Sequence, residues 1–268
     1  MSDDGQPIVL VHGGGHGAWC WEPLLPWLRA PVLAVDLPPK EIRGAPLAAL
    51  PPEITGLGLD DFAAAVLADA DAAGFERFVL VGHSMGGLTI AEVAGRAPSR
   101  VAHLVFVSCL VPPEGGSSIE ALSDELQDSV RHAVAEARAG SVALAGLDEA
   151  TVRQMFCNDM DEAQTAFVLA HVGVEAPAAL ADRVTRRGVP PTLPKTYVRL
   201  RRDQALAPAQ QDAQIGWLRE SPGGRLEVVD VDAGHDVMIS APALLAPIVN
   251  GVARDAARAR TRAPAAGS

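Results

Sequence analysis

Phe78-Val79-Leu80-Val81-Gly82-His83-Ser84-Met85-Gly86-Gly87 is the stretch on which the rest of the chain turns. Four consecutive apolar residues predict a strand buried on both faces, and the segment from Met85 to about Arg96 reads as a helix. The turn between them leaves Ser84 with a glycine two residues away on either side. A strand that passes so abruptly into a helix strains the backbone of its central residue, and side chains at the flanking positions would collide across the turn. The Gly-x-Ser-x-Gly spacing in a strand-turn-helix setting therefore presents the Ser84 hydroxyl as a nucleophile at a strand end. A turn serine lying between glycines by chance would have no need of that setting.

Working outward, Ile8-Val9-Leu10-Val11 is a second apolar run ending in glycines, and Pro31 to Leu37 and Val101 to Val107 read as further strands. Trp21 to Arg29 predicts a helix, and Asp60 and Asp61, acids suited to a helix N-terminus, open another that runs to Ala73. The Pro- and Gly-rich stretch up to about Gly58 reads as surface loop. Strands alternating with helices predict an α/β fold, a parallel sheet covered on both faces. Pro112 to Arg187 breaks the rhythm with successive helix-like stretches and no convincing strand, which predicts a cap inserted into the sheet domain. The rhythm resumes with a strand at Thr196 to Leu200, a helix from about Ala207 to Glu220, a strand at Leu226 to Val231 and a last helix at Ala243 to Ala257. The expected organisation is a core of residues 1–111 and 188–258, a cap of residues 112–187 and a flexible tail from Ala259 to Ser268.

A serine hydroxyl is a weak nucleophile at neutral pH and needs a base that a third group orients. His235, in Asp232-Ala233-Gly234-His235-Asp236, follows the last predicted strand and is the only histidine C-terminal to the cap. The acid is expected after the preceding strand, where Asp203 stands; two arginines before it also permit a surface ion pair. Asp212 falls inside a helix, and Asp230, Asp232 and Asp236 lie too near His235 along the chain. For the oxyanion, backbone N–H groups of Met85 and of Gly14, in His12-Gly13-Gly14-Gly15-His16-Gly17, are the expected donors. The same glycines could cradle a phosphate, but no Gly-x-Gly-x-x-Gly with a spaced ribose acid and no Lys-Ser/Thr ending accompanies them. Gly13, His16, Trp19, Met155, Phe156 and Phe167 are candidates for substrate contact, although His12 and His16 could equally hold the loop and the cap residues equally pack on the core. Phe156-Cys157-Asn158-Asp159 reads as an ordinary helix boundary as readily as a site.

The chain has 268 residues, 49% of them apolar, enough for a large core, and its aromatic share of 4% leaves that core to Ala, Val and Leu. A net charge of -11 argues against nucleic acid or an anionic membrane and toward a small-molecule partner. Cys20, Cys109 and Cys157 cannot all pair and lack metal-ligand spacing, so no metal is expected, and reduced thiols suit a cytoplasmic setting. The N-terminus lacks the cationic and apolar regions of an export signal, and no apolar run would span a bilayer. Oligomeric state, monomer or homodimer, stays open.

At His12-Gly13-Gly14-Gly15-His16-Gly17-Ala18-Trp19 and Gly82-His83-Ser84-Met85-Gly86-Gly87 the sequence resembles the compact α/β-hydrolases that include plant methyl esterases, hydroxynitrile lyases and many bacterial esterases. The resemblance covers nearly the whole chain. It implies a six-stranded, mostly parallel sheet, a helical cap after the fourth strand, a Ser84-Asp203-His235 triad and no cofactor. Where the resembling lyases carry a threonine and a lysine, this chain has Gly13 and Asp236, so the carry-over favours hydrolysis of an ester, thioester or lactone through an acyl-Ser84 intermediate. A lyase, cyclase or C–C bond hydrolase reusing the same triad is the alternative, and a small-molecule receptor the third reading.

Overall fold

The computed structural model describes residues 5–39, 57–121, 127–128, 130–132, 134–135, 147–173 and 178–262. Six strands, β1 (Ile8–Val11), β2 (Val32–Val35), β3 (Phe78–His83), β4 (Val101–Val107), β5 (Lys195–Leu200) and β6 (Leu226–Val231), form one sheet in the order β2-β1-β3-β4-β5-β6. Every pairing is parallel. The near-continuous apolar strands are explained by what covers them. Ile8, Leu10, Val79, Val81, Val105 and Val107 face one buried cluster, while Val9, Val11, Phe78, Leu80, Leu104 and Phe106 face the other. Successive strand residues point to opposite faces, so a strand buried on both sides has no polar positions to alternate.

Helices α1 (Leu59–Ala72) and α2 (Gly86–Arg96) pack on one face, together with a later helix numbered α6 below. Between β4 and β5 the described residues carry a 3₁₀ turn (Ser118–Ala121) and helices α3 (Glu149–Met155), α4 (Glu162–His171) and α5 (Ala178–Ala181). The only pairing of strand type there, among the described residues, is an isolated antiparallel bridge between Ser117 and Arg183. Val152, Phe156, Cys157 and Val168 from this segment share a cluster with Ile8, Trp21 and Met238, so its apolar side chains are continuous with the sheet's core. Helices α6 (Pro208–Glu220), α7 (Val237–Ser240) and α8 (Pro242–Arg262) complete the chain.

Two expectations need correction. Trp21 to Arg29 is not one helix; short 3₁₀ turns at Ala18–Trp21 and Leu25–Trp27 take its place, because Pro23 and Pro26 lack the N–H groups a continuous α-helix needs. The last helix begins at Pro242 and runs to Arg262, past the expected start of a flexible tail, because its final turns are mostly Ala and Arg, strong helix formers, and its internal proline, Pro247, lies near its start. Residues 263–268 of that expected tail, and residues 40–56 of the expected surface loop, lie outside the described residues.

Parallel strands deliver all their C-terminal ends to one edge, and the sheet order reverses between β1 and β3. Such a reversal opens a crevice at that edge. Gly86, the first residue of α2, lies against the β1 end so closely that a Cβ would stand 2.7 Å from the main-chain oxygens of His12 and Val11. Gly86→Ala is therefore expected to lower stability by about 1–3 kcal/mol in thermal unfolding. Gly216→Ala, in α6 with nothing within 4 Å of the added Cβ, should leave stability unchanged or raise it.

Lys195 is buried at the start of β5, and its ammonium donates to the carbonyls of Leu218 (3.0 Å), Ser221 (3.2 Å) and Pro222 (3.2 Å) at the end of α6. Those helix-end carbonyls have no intrahelical partner. Lys195→Met, which keeps the stem and removes the donor, should cost roughly 1–3 kcal/mol, read as a shifted urea midpoint at unchanged m-value.

Candidate active site

Ser84 follows β3 directly with φ +53°, in the left-handed region that a non-glycine residue enters only under constraint. Its N–H donates to the Val107 carbonyl (3.1 Å), and its own carbonyl accepts from Gly87 (3.1 Å) and Leu110 (3.0 Å). Gly13 supports it from the opposite side: a Cβ at Gly13 would stand 2.6 Å from Ser84 Cβ. The glycine loop after β1 and the serine turn after β3 are thus in backbone contact.

After β5 and β6 come Asp203 and His235, the expected acid and base. His235 Nδ1 lies 2.7 Å from Asp203 Oδ2, with both side chains buried. Facing a carboxylate, Nδ1 carries the hydrogen, which leaves Nε2 as the proton acceptor. Ser108 donates its hydroxyl to the same Asp203 oxygen (2.6 Å), and the other oxygen accepts from the N–H groups of Ala205 and Leu206, each at 2.8 Å. Burial alone would raise the Asp203 pKa, but the opposing His235 charge and these donors hold it below the ordinary carboxylate value. Burial likewise works against the charged form of His235, and the Asp203 carboxylate outweighs it, raising the histidine's pKa.

The alternatives fall elsewhere. Asp212 and Asp230 bracket Arg199 at the surface. Asp232 faces Arg202 at 3.6 Å, and Arg202 also reaches Asp159 rather than Asp203. No hydrogen bond joins Ser84 to His235; the two are adjacent through His83, whose Nε2–H donates to the His235 carbonyl (3.1 Å) and whose ring centroid is 4.6 Å from that of His235. Catalytic hydrogen bonds are often long in the absence of substrate. Burial pushes the His83 pKa down to about 3, so that ring is neutral.

In the glycine loop the two histidines have separate partners. His12 Nε2 accepts from the Leu37 N–H (3.1 Å), so its Nδ1 carries the hydrogen and donates to the Gly13 carbonyl (2.9 Å). Because a trans peptide sets its N–H opposite to its C=O, this bond turns the Gly14 N–H to the side away from His12. His16 places Nδ1 on the Gly14 carbonyl (2.8 Å) and Nε2 on Asp236 (2.9 Å). Trp19 stacks on His16 at 5.2 Å, and Phe167 meets Trp19 edge-on. Phe156 stacks on His235 at 5.6 Å, while Met155 packs partly buried against the same cluster. Each of these candidates is engaged in packing around the site.

Three sets of contacts around the site are not assigned by the sequence. Ser108 carries no motif; only its place at the end of β4 marks it. Asp236 was set aside as too near His235, yet it is fully buried on His16. Asn158-Asp159 is a latch between the α3–α4 turn and the His235 loop: Asp159 accepts from the Gly234 N–H (2.6 Å), and Asn158 donates to the Arg202 carbonyl (2.8 Å). Gln164 adds a bond to the Ile239 carbonyl (2.9 Å), and the Gly173 N–H reaches Gly15 (2.8 Å). Among the described residues, His83, His235 and Asp236 offer ligand-type atoms within 4.8 Å of one another; a metal there would engage the same histidine that Asp203 orients. Cys20, Cys109 and Cys157 are buried and form no disulfide with one another. Among the described residues no helix is long and apolar enough to cross a membrane.

Comparison with known proteins agrees with this architecture. A probable esterase, PIR7A, of Oryza sativa is 41% identical over 120 residues, 43% of this chain and 43% of its own length. Norfluorocurarine synthase 1 of Strychnos nux-vomica is 36% identical over 109 residues, 39% of each chain. The chain thus aligns with less than half the length of these relatives. An extracellular alpha/beta-hydrolase from a Paenibacillus species, described as sharing homology with tobacco salicylic acid binding protein 2, superposes with a TM-score of 0.73 at 20% identity, over 93% of this chain and 100% of that one. The alpha/beta hydrolase family model matches residues 8–248, nearly the whole described fold, and the chain belongs to that family.

Proposed function

We propose that this protein is a serine esterase that cleaves a small-molecule carboxylic ester, thioester or lactone through an acyl-Ser84 intermediate. The observation that carries the reading is the buried Asp203–His235 hydrogen bond of 2.7 Å at the same sheet edge as a serine held at positive φ on the end of β3. The similarity to a probable esterase supports the reaction class. His235 Nε2 takes the Ser84 proton as Oγ bonds to the substrate carbonyl carbon, and the carbonyl oxygen becomes an oxyanion facing the N–H groups of Gly14 and Met85. Collapse of that intermediate breaks the carbon–oxygen or carbon–sulfur bond to the leaving group, which receives the proton from Nε2. Water then repeats the sequence on the acyl-enzyme. Residues 112–187 serve as the cap, with Phe156 and Phe167 bounding the substrate space.

A second reading rests on the similarity to norfluorocurarine synthase 1: the same triad carries out a different reaction on a biosynthetic substrate. Asp236, where the resembling lyases have lysine, counts against a cyanohydrin lyase in particular.

A fluorophosphonate is expected to label Ser84, located by peptide mass spectrometry, and Ser84→Ala should lose labelling and more than about a thousandfold in kcat on a simple ester. Folded wild-type protein left unlabelled would overturn the esterase reading. Retained conversion of a biosynthetic substrate by Ser84→Ala would favour the second.

The pH profile tests the base. Only neutral His235 accepts the proton, so kcat/KM should rise with pH through a midpoint above 6.5, the ordinary histidine value, since Asp203 raises the pKa. Asp203→Asn removes that support, so the midpoint should fall while kcat drops by about 10³–10⁴-fold.

A further inference from the structure

Asp236 and His16 form a second buried acid–histidine contact in which the histidine has no nitrogen left to act as a base. Their side chains are 0% and 1% exposed. Asp236 Oδ2 lies 2.9 Å from His16 Nε2, and the Gly14 carbonyl lies 2.8 Å from His16 Nδ1. A carbonyl oxygen only accepts, so Nδ1 carries hydrogen, and an ionised carboxylate facing Nε2 calls for a second one, which would make His16 an imidazolium. Burial works against the charge on Asp236, but His16 holds its carboxyl below the ordinary range. His83, 3.8 Å from Oδ1, and His235 lower it further, though less than His16 does, and the Cys157 thiol beside it is pushed up to about 11.

The pair joins two loops that the sheet does not join directly. His16 follows β1 and Asp236 follows β6, and β3, β4 and β5 lie between those strands. We propose that His16 and Asp236 are positioning residues, a buried imidazolium–carboxylate clamp that fixes the glycine loop carrying Gly14 relative to the loop carrying His235. The clamp holds the oxyanion donor and the base in one geometry, and as a contribution to turnover it rests on the esterase reading above. A misplacement of about 1 Å in such a constellation is enough to cost on the order of a hundredfold in rate.

The test combines a protonation readout with a double-variant cycle on the full chain. Nitrogen NMR of protein labelled at its seven histidines, with His16 assigned by its loss in His16→Gln, should show His16 as an imidazolium at pH 8. That signature should disappear in Asp236→Asn, which keeps an acceptor oxygen but removes the charge. On a simple ester, Asp236→Asn and His16→Gln should each lower kcat by about tenfold or more with little change in KM, and the double variant should fall no further than the worse single. A neutral His16 in the wild type, an unchanged kcat, or losses that multiply in the double variant would overturn the clamp. If Asp236→Asn fails to fold, the wild-type spectrum and His16→Gln decide the question. A wild type that fluorophosphonate does not label overturns the esterase reading instead, while the nitrogen signature still decides whether the ion pair exists.

Discussion

The contact on which the site depends is steric: the backbone after β1 and the turn after β3 approach until no side chain fits between them. At Gly13 an added Cβ would stand 2.6 Å from Ser84, and at Gly86 one would stand 2.7 Å from the β1 carbonyls. With that approach, a strand pairing that aligns Val11 with Gly82 sets the glycine loop directly beside the serine. Without it, the positive φ at Ser84 would rest on its backbone hydrogen bonds to Val107, Gly87 and Leu110 alone, and strain of this kind persists only where surrounding packing fixes it. The remaining strand ends then add Ser108, Asp203 and His235 along the same edge.

Electrostatics divides identical side chains into different tasks. Four histidines, 12, 16, 83 and 235, lie within this small region, and each one's partners set its protons. His12 accepts from a backbone N–H and must keep one nitrogen bare. His83 is buried and neutral. His16 faces two acceptors, and His235 faces one carboxylate and keeps a nitrogen for chemistry. Two buried carboxylates are compatible with so tight a space because each has its own histidine, and Asp203 has three further donors besides.

The inner strands were legible because burial on both faces leaves an apolar run that local composition alone reveals, and β4 has the bounds that its apolar run predicts; β6, an edge strand with exposed Glu227 and Asp230, also has its expected bounds. Ser84 was legible because its turn requires glycines at fixed spacing. His235 and Asp203 could be placed only by their order after strands, and the structure sets them in contact. The first helix was misread because hydrophobic spacing outweighed the missing N–H groups of Pro23 and Pro26. The contacts of Ser108, Asp159 and Asp236 were unreadable for a different reason. Their partners lie 95, 75 and 220 positions away in the chain, and no local pattern encodes a contact of that range.

The latch formed by the Asn158-Asp159 turn bears on how this scaffold could be re-engineered. The segment between β4 and β5 is the natural part to exchange when a different substrate is wanted, since it is inserted between two strands of an otherwise regular sheet. Here the exchange would also remove the acceptor for the Gly234 N–H, the Gln164 bond to the Ile239 carbonyl and the Gly173 bond to the glycine loop. A transplanted segment would have to bring its own equivalents of Asp159, Gln164 and Gly173. The identity of this segment and the position of the His235 loop are therefore coupled in this chain, and variation in the segment is constrained at the few positions that hold the loops beneath it.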